Sequence, residues 1–134
     1  MPEAPMIVFV CEHGAAKSIL AAAHFNRLAE EKGLDVTAVA RGTNPDQELS
    51  EATIEGLLRD GLIPTASKPQ KLSLDDVQSA HRIIGFCELP QKFAEDIVVE
   101  QWDDIPVISG NYEQARDVIL DHLNLLLSEL RRPV

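Results

Sequence analysis

The 134-residue sequence lacks any apolar run near the ~20 residues that a membrane-spanning helix needs, so no membrane protein is expected. Its first residues show neither the basic nor the long apolar region of a secretion signal, which favours a cytoplasmic protein. Basic residues are also few, with 12 Lys and Arg against 22 Asp and Glu and a formal net charge of −10. Because nucleic-acid binding requires a basic face, no nucleic-acid partner is expected.

Cysteine is scarce as well. The two cysteines, Cys11 and Cys87, are too far apart in sequence and too few to form a disulfide framework or to complete a zinc site. We therefore expect no metal and no cofactor, and each cysteine is either a packed thiol or a chemical group. With 45% apolar residues, a chain of this length forms one domain, residues 1–134, with a core of its own.

Short apolar runs alternate with longer helical patterns along the chain. The predicted strands are 6–10, 35–41, 82–86 and 97–99, and the predicted helices are 18–32, 50–59 and 112–130. A polar connection over 68–76 is predicted to end in one helical turn. This alternation predicts a parallel sheet covered on both faces, and such sheets bind ligands beyond the C-terminal ends of their strands. Chemistry is therefore expected from Cys11 onward.

The segment after the first strand reads Cys-Glu-His-Gly-Ala-Ala-Lys-Ser over residues 11–18. A short loop from a strand into a helix points backbone N–H groups inward, and the helix N-terminus adds positive potential. The same N–H groups favour a thiolate at Cys11, to which Ser18 can donate a hydrogen bond. The alternative is a packed cysteine before a turn, but Lys17 and Ser18 at this spacing favour an anion-binding loop. The predicted oxyanion-binding residues are Glu12, His13, Gly14, Ala15, Ala16 and Lys17.

These residues resemble the C-x-x-x-x-x-R-S loop of the low-molecular-weight protein tyrosine phosphatases and of the arsenate reductases with the same fold. Weaker matches follow in the family's order at 40–43, 61–72 and 102–106. The resemblance implies a three-layer α/β/α fold with a four-stranded parallel sheet and flavodoxin-like topology. It also implies that Cys11 is a nucleophile that forms a phosphocysteine, with Lys17 and Ser18 assisting and an aspartate as general acid. Asp104 is slightly favoured over Asp103 as that acid, because the family places its acid directly before a proline.

The loop departs from the family pattern in two places. Lys17 replaces an arginine and offers a point charge instead of a planar fork. Gly14 replaces an asparagine and reaches a left-handed backbone at no steric cost. Two further roles stay open: His13 is either a cation beside Cys11 or a solvent-facing imidazole, and Arg41 is either a second source of guanidinium or a surface residue. We assign no role to His81, which stands where the family has an aspartate.

Cys87 follows the third predicted strand and is either a packed thiol or a redox group. In thioredoxin-linked arsenate reductases, a cysteine near this point attacks the sulfur of the nucleophile, and a third cysteine resolves the pair. This chain has no third cysteine, so the redox alternative needs an external thiol such as glutathione, mycothiol or thioredoxin.

Three functions follow in order of preference. The first is a phosphatase for phosphotyrosine or another aryl phosphate, although Lys17 and the few aromatic side chains (Trp102 and Tyr112) available for stacking count against it. The second is an arsenate reductase, with arsenate as the oxyanion substrate. The third is a non-catalytic oxyanion-binding protein, which Lys17 favours.

Overall fold

The computed structural model describes residues 6–87, 89, 99–108 and 110–131, and within them strands and helices alternate. The strands are β1 (Met6–Cys11), β2 (Thr37–Gly42), β3 (Arg82–Gly85) and β4 (Val99–Gln101). The helices are α1 (Lys17–Glu31), α2 (Glu51–Arg59), α3 (Leu74–Ser79) and α4 (Tyr112–Arg131). None of the described helices combines the length and apolarity needed to cross a membrane.

All strand pairs are parallel, and the strand order is β2-β1-β3-β4. Strand β1 shows why the sheet is covered on both faces, since its side chains alternate between two apolar clusters. Ile7 and Phe9 pack with α1, α2 and α4, whereas Val8 and Val10 pack with Val77 of α3. The predicted α/β/α fold with a four-stranded parallel sheet is therefore confirmed.

The boundaries differ from the prediction at β2 and α3. Strand β2 begins at Thr37, later than predicted, although its alternation holds because Val36, Ala38 and Ala40 are buried. The connection before β3 contains helix α3, which is longer than the single predicted turn. A reciprocal cap begins it: the Ser73 hydroxyl accepts a bond from the Asp76 N–H at 3.1 Å, and the Asp76 carboxylate accepts from the Ser73 N–H at 3.0 Å.

The fourth strand was predicted over the apolar run 97–99, but the described strand covers Val99–Gln101, and residues 97 and 98 lie outside the described part. This strand is at the sheet edge, where full burial is not required. Its Glu100 accepts two bonds from Arg82 of β3, at 2.8 and 2.6 Å. Side-chain pairing across the strands therefore stabilises the polar end of an edge strand, which apolar patterning does not indicate.

Helices α1, α2 and α4 meet at a buried polar cluster around Asp60. Tyr112 donates a hydrogen bond to its carboxylate at 2.8 Å, Arg116 pairs with it at 3.0 Å, and His24 lies 3.3 Å away. Burial lowers the pKa of His24. Gly56 of α2 makes room for the Tyr112 ring, because a Cβ there would overlap it. These contacts fix the start of α4, which directly follows the segment that reaches the candidate site.

Candidate active site

The candidate site lies at the C-terminal edge of the sheet, as parallel topology predicts. Cys11 is the last residue of β1 and is in register with Gly42, the last residue of β2. The loop over residues 12–16 then leads into α1, which begins at Lys17. Together, residues 11–18 form what we call the cradle.

The cradle is held from outside by the β2–α2 segment, residues 43–50. Four backbone N–H groups of this segment donate to cradle carbonyl groups: Thr43 to Cys11 at 3.2 Å, Asn44 to Glu12 at 2.7 Å, Asp46 to His13 at 3.0 Å and Ser50 to Ala15 at 2.9 Å. The carbonyl groups of the loop therefore point away from its concave side.

The backbone N–H groups of the cradle are available to bind a ligand. Within the described residues, no protein group accepts a hydrogen bond from the N–H groups of residues 12–18. Helix α1 begins at an N-cap, Ala16, that has no side-chain cap, and its first turn carries no acidic side chain. Unpaired N–H groups at a helix N-terminus form an anion-binding site. The cradle thus has the donors that the sequence pattern predicts for an oxyanion.

Two glycines set the curvature of the cradle. Gly14 has a φ of 63°, in the left-handed region that favours glycine. A Cβ on Gly14 would lie 2.9 Å from the Gly42 nitrogen, and a Cβ on Gly42 would lie 2.8 Å from the Gly14 nitrogen. Backbone therefore packs directly on backbone here. The motif singled out Gly14, whereas the role of Gly42 was missed, because no local pattern marks a contact between distant segments.

Cys11 lies at the floor of the cradle and is 8% exposed. Its Sγ is 3.0 Å from the hydroxyl of Ser18, a fully buried residue in the first turn of α1. The hydroxyl can donate to a thiolate at this distance, which was the role predicted for Ser18. Cys11 is buried but still reaches a cavity, so it combines a packed position with access to a ligand.

A cavity of about 470 Å³ opens over Cys11. All the predicted oxyanion-binding residues line it except Gly14, whose contribution is the backbone turn. Its other walls, which sequence reasoning did not find, come from the β2–α2 segment and from the ends of other elements: Asp46, Glu48, Leu49, Ser50, Phe86, Val107 and Ile108. The only available sequence signal was that residues after parallel strands meet at one edge of the sheet.

Lys17 and His13 are the basic side chains of the lining among the described residues. Lys17 has no ion-pair partner within the described part of the chain, so its ammonium group is available to a ligand. His13 contacts two carboxylates: its Nδ1 lies 3.1 Å from an Asp46 oxygen, and its Nε2 lies 3.7 Å from a Glu12 oxygen, which is beyond hydrogen-bond distance.

The two aspartates proposed as the general acid lie elsewhere. Neither Asp103 nor Asp104 is among the described residues that line the cavity. Both Asp104 carboxylate oxygens lie near Nε2 of His122, at 2.8 and 2.9 Å, and the His122 ring stacks on Trp102 at 4.6 Å. Asp104 is thus held against α4 in this structure, while Asp103 is exposed.

Three other residues complete the comparison with the sequence expectations. Arg41 pairs with Asp76 at 2.9 Å and is half-buried, so it is neither a cavity residue nor a free surface arginine. His81 is exposed and outside the cavity. Cys87 is half-buried and lines the same cavity as Cys11, so both cysteines reach one space.

Fold and cradle together define an α/β protein with a cysteine at the floor of an oxyanion-binding loop after its first strand. The family model described as low molecular weight phosphotyrosine protein phosphatase matches residues 6–109. The chain therefore belongs to this family, which confirms the resemblance noted from the loop motif.

Solved structures agree on the fold. YfkJ from Bacillus subtilis is 21% identical, with 97% of this chain and 96% of that chain covered and a TM-score of 0.81. A YwlE mutant from Bacillus subtilis is 19% identical, with coverage of 96% and 99% and a TM-score of 0.80. An arsenate reductase in the phosphate binding state is 14% identical, with coverage of 93% and 98% and a TM-score of 0.77. No curated protein sequence matches the chain significantly.

Proposed function

We propose that this protein is a cytoplasmic, cysteine-dependent phosphatase that hydrolyses an aryl or tyrosyl phosphate through a phosphocysteine. The family includes phosphatases, and the solved structures that are similar to this chain include an arsenate reductase. The observation that carries the proposal is the direction in which the backbone groups of the cradle point. The β2–α2 segment donates hydrogen bonds to the cradle carbonyl groups from outside. The cradle N–H groups have no acceptor within the described residues, and the Cys11 sulfur lies at the floor beneath them.

The first chemical step uses this arrangement directly. Phosphoryl oxygens accept hydrogen bonds from the cradle N–H groups and from Lys17, and the Cys11 thiolate attacks phosphorus in line. Ser18, 3.0 Å from the sulfur, stabilises the thiolate before attack and again when it leaves. Water then attacks the phosphocysteine and releases phosphate. Because the donors are mostly backbone groups already in place, they stabilise the transition state without reorganising.

The leaving oxygen needs a proton. By family resemblance it comes from Asp104 or Asp103, but neither lies in the described lining of the cavity. For Asp104 to act, its carboxylate would have to leave His122 and enter the cavity that Val107 and Ile108 of the same segment already line.

Steady-state assays with p-nitrophenyl phosphate, and with arsenate plus glutathione or thioredoxin, test the proposal. We expect release of p-nitrophenol and competitive inhibition by phosphate. A chain that binds phosphate but turns over neither substrate would instead be a non-catalytic oxyanion-binding protein, the alternative that Lys17 favours.

Lys17→Arg separates a weakened phosphatase from the alternatives. The lysine ammonium group acts on the phosphoryl group as a single point charge, whereas a planar arginine guanidinium can donate two parallel hydrogen bonds to two phosphoryl oxygens. Since a charge-assisted hydrogen bond contributes roughly 1.5–3 kcal/mol, we expect kcat on p-nitrophenyl phosphate to rise about 10-fold or more. An unchanged or lower kcat in Lys17→Arg would contradict the view that Lys17 merely weakens a phosphatase.

Arsenate reduction is the second candidate, because Cys87 lines the same cavity as Cys11. In that reaction arsenate gains two electrons to become arsenite, while the two thiols lose two electrons and become a disulfide. An external thiol, namely glutathione, mycothiol or thioredoxin, then reduces the disulfide.

Mild peroxide treatment tests the pairing that this second candidate requires. We expect a Cys11–Cys87 disulfide, seen as the loss of two protons by mass spectrometry and as one linked peptide after digestion. The bond needs Cα atoms within about 7 Å of each other or movement of the chain near Cys87. Separate sulfenic or sulfinic products, with no linked peptide, would count against the reductase.

A further inference from the structure

His13 is held at the cavity by two contacts with one residue of the β2–α2 segment. Its Nδ1 lies 3.1 Å from an Asp46 carboxylate oxygen, and its carbonyl oxygen accepts a bond from the Asp46 N–H at 3.0 Å. A carboxylate beside Nδ1 keeps a proton on that nitrogen and fixes the ring orientation, which leaves Nε2 as the atom that exchanges protons. Asp46 is therefore placed to orient the His13 ring.

The Nε2 atom is not occupied by a hydrogen bond within the described residues. The Glu12 oxygen near it is 3.7 Å away, beyond hydrogen-bond distance. The side chain is 55% exposed and lines the cavity above Cys11, so a ligand in the cavity can meet it. An orienting carboxylate on one ring nitrogen and an unoccupied second nitrogen are the features of an acid–base histidine.

The carboxylates near the cavity are less suited than His13 to the role of acid–base group. Glu12 and Glu48 line the same cavity, but within the described residues neither carboxylate has a hydrogen-bond partner that would orient it. Asp104 pairs with His122 and is not in the described lining of the cavity. Imidazole changes its protonation between pH 5 and 8, so it can both donate and accept a proton under working conditions.

We infer that His13, oriented by Asp46, is the general acid and base of the proposed phosphatase reaction; the inference rests on that proposed function. As the P–O bond breaks and the bond from phosphorus to Cys11 sulfur forms, the proton on Nε2 moves to the leaving oxygen. The neutral ring then takes a proton from the water that attacks phosphorus. Phosphate leaves, and both the thiolate and the protonated ring are restored.

The charged groups around His13 come from two sides of the cavity. Its own cradle contributes the Cys11 thiolate, Glu12 and Lys17, and the facing segment contributes Asp46 and Glu48. The ring therefore lies among four anionic groups and one cation.

Burst kinetics with two esters test the assignment. Phenolate is a poor leaving group that needs a proton, whereas p-nitrophenolate leaves readily without one. In His13→Asn, whose amide keeps a donor towards Asp46, we expect formation of the phosphocysteine from phenyl phosphate to slow about 100-fold or more. With p-nitrophenyl phosphate the same step should change less than about 5-fold, while hydrolysis of the phosphocysteine slows.

His81→Asn is the matched control, because it makes the same change at an exposed histidine outside the cavity. Its burst rates should equal those of the wild type on both esters. Phosphate binding by each variant reports whether the cradle is intact, and Asp46→Asn should reproduce part of the selective loss on phenyl phosphate.

Three results would overturn the assignment. Equal losses on both esters in His13→Asn would indicate a purely structural histidine. A selective loss in Asp104→Asn, with none in His13→Asn, would return the role to the family's aspartate. A wild-type chain that hydrolyses neither ester would overturn the proposed function itself, and the His13 role with it.

Discussion

Cys11→Ser is expected to abolish hydrolysis of aryl phosphates while the protein still binds phosphate. Removing the nucleophile of a covalent mechanism lowers turnover on the order of 10⁶-fold, since a serine hydroxyl is a far weaker nucleophile than a cysteine thiolate. Phosphate affinity should persist because the oxyanion donors are backbone N–H groups held by the β2–α2 segment. Steady-state kinetics and calorimetric titration with phosphate measure the two effects on one preparation.

Undiminished turnover in Cys11→Ser would remove Cys11 as the nucleophile. A parallel loss of phosphate binding would show that the sulfur, rather than the backbone, holds the anion. Both conclusions require that Cys11→Ser melts at the same temperature as the wild type. This control is needed because Cys11 is 8% exposed and packs at the end of a buried strand, where a substitution could unfold the protein.

Gly42→Ala is expected to damage both stability and the site, although Gly42 is not part of the loop motif. The added Cβ would lie 2.8 Å from the backbone nitrogen of Gly14 and 2.9 Å from its Cα. Neither atom is a flexible side-chain end, so the cradle itself has to move. We expect the free energy of unfolding to fall by about 1–3 kcal/mol, the usual cost of overpacking. We also expect phosphate affinity to fall about 10-fold or more, because displaced N–H groups lose charge-assisted bonds.

Gly33→Ala is the control for this prediction. Gly33 lies just beyond α1 with a φ of 67°, and a Cβ there would meet no atom within 4 Å. Alanine there costs about 1–2 kcal/mol through its left-handed backbone, but it leaves the cradle undisturbed. Chemical denaturation and phosphate titration should therefore show a loss of stability in both variants and a loss of affinity only in Gly42→Ala. Normal phosphate affinity in Gly42→Ala would contradict the proposed role of the glycine contact.

The features that could be predicted from the sequence were those encoded locally. Apolar runs located β1 and β3, the turn signals around Gly33 and Gly61 marked the helix ends, and the loop motif identified the family. The capping box at Ser73 and Asp76 was also readable as Ser-x-x-Asp, so the full length of α3 could have been found. For the edge strand β4, the apolar run at 97–99 indicated a strand, but nothing local indicated that it continues through the polar residues 100 and 101.

The remaining features depend on contacts between distant segments. Nothing near Gly42 in sequence shows that it packs on Gly14, and nothing near Asp46 shows that it reaches His13. The position of Asp104 depends on His122 of α4, which lies 18 residues further along the chain and also stacks on Trp102. Periodicity reports which face of an element is buried, but it does not report which loops meet.

The outward bonding of the cradle carbonyl groups has a consequence for how this site can diverge. The shape of the loop comes from main-chain bonds and from two glycines, so most of its side chains are free to change without altering that shape. Arginine can become lysine, and asparagine can become glycine, while the anion-binding geometry stays the same. Selection can therefore exchange one chemistry for another on a constant scaffold. In such a lineage, retention of Gly42 would track oxyanion binding more faithfully than retention of the loop arginine.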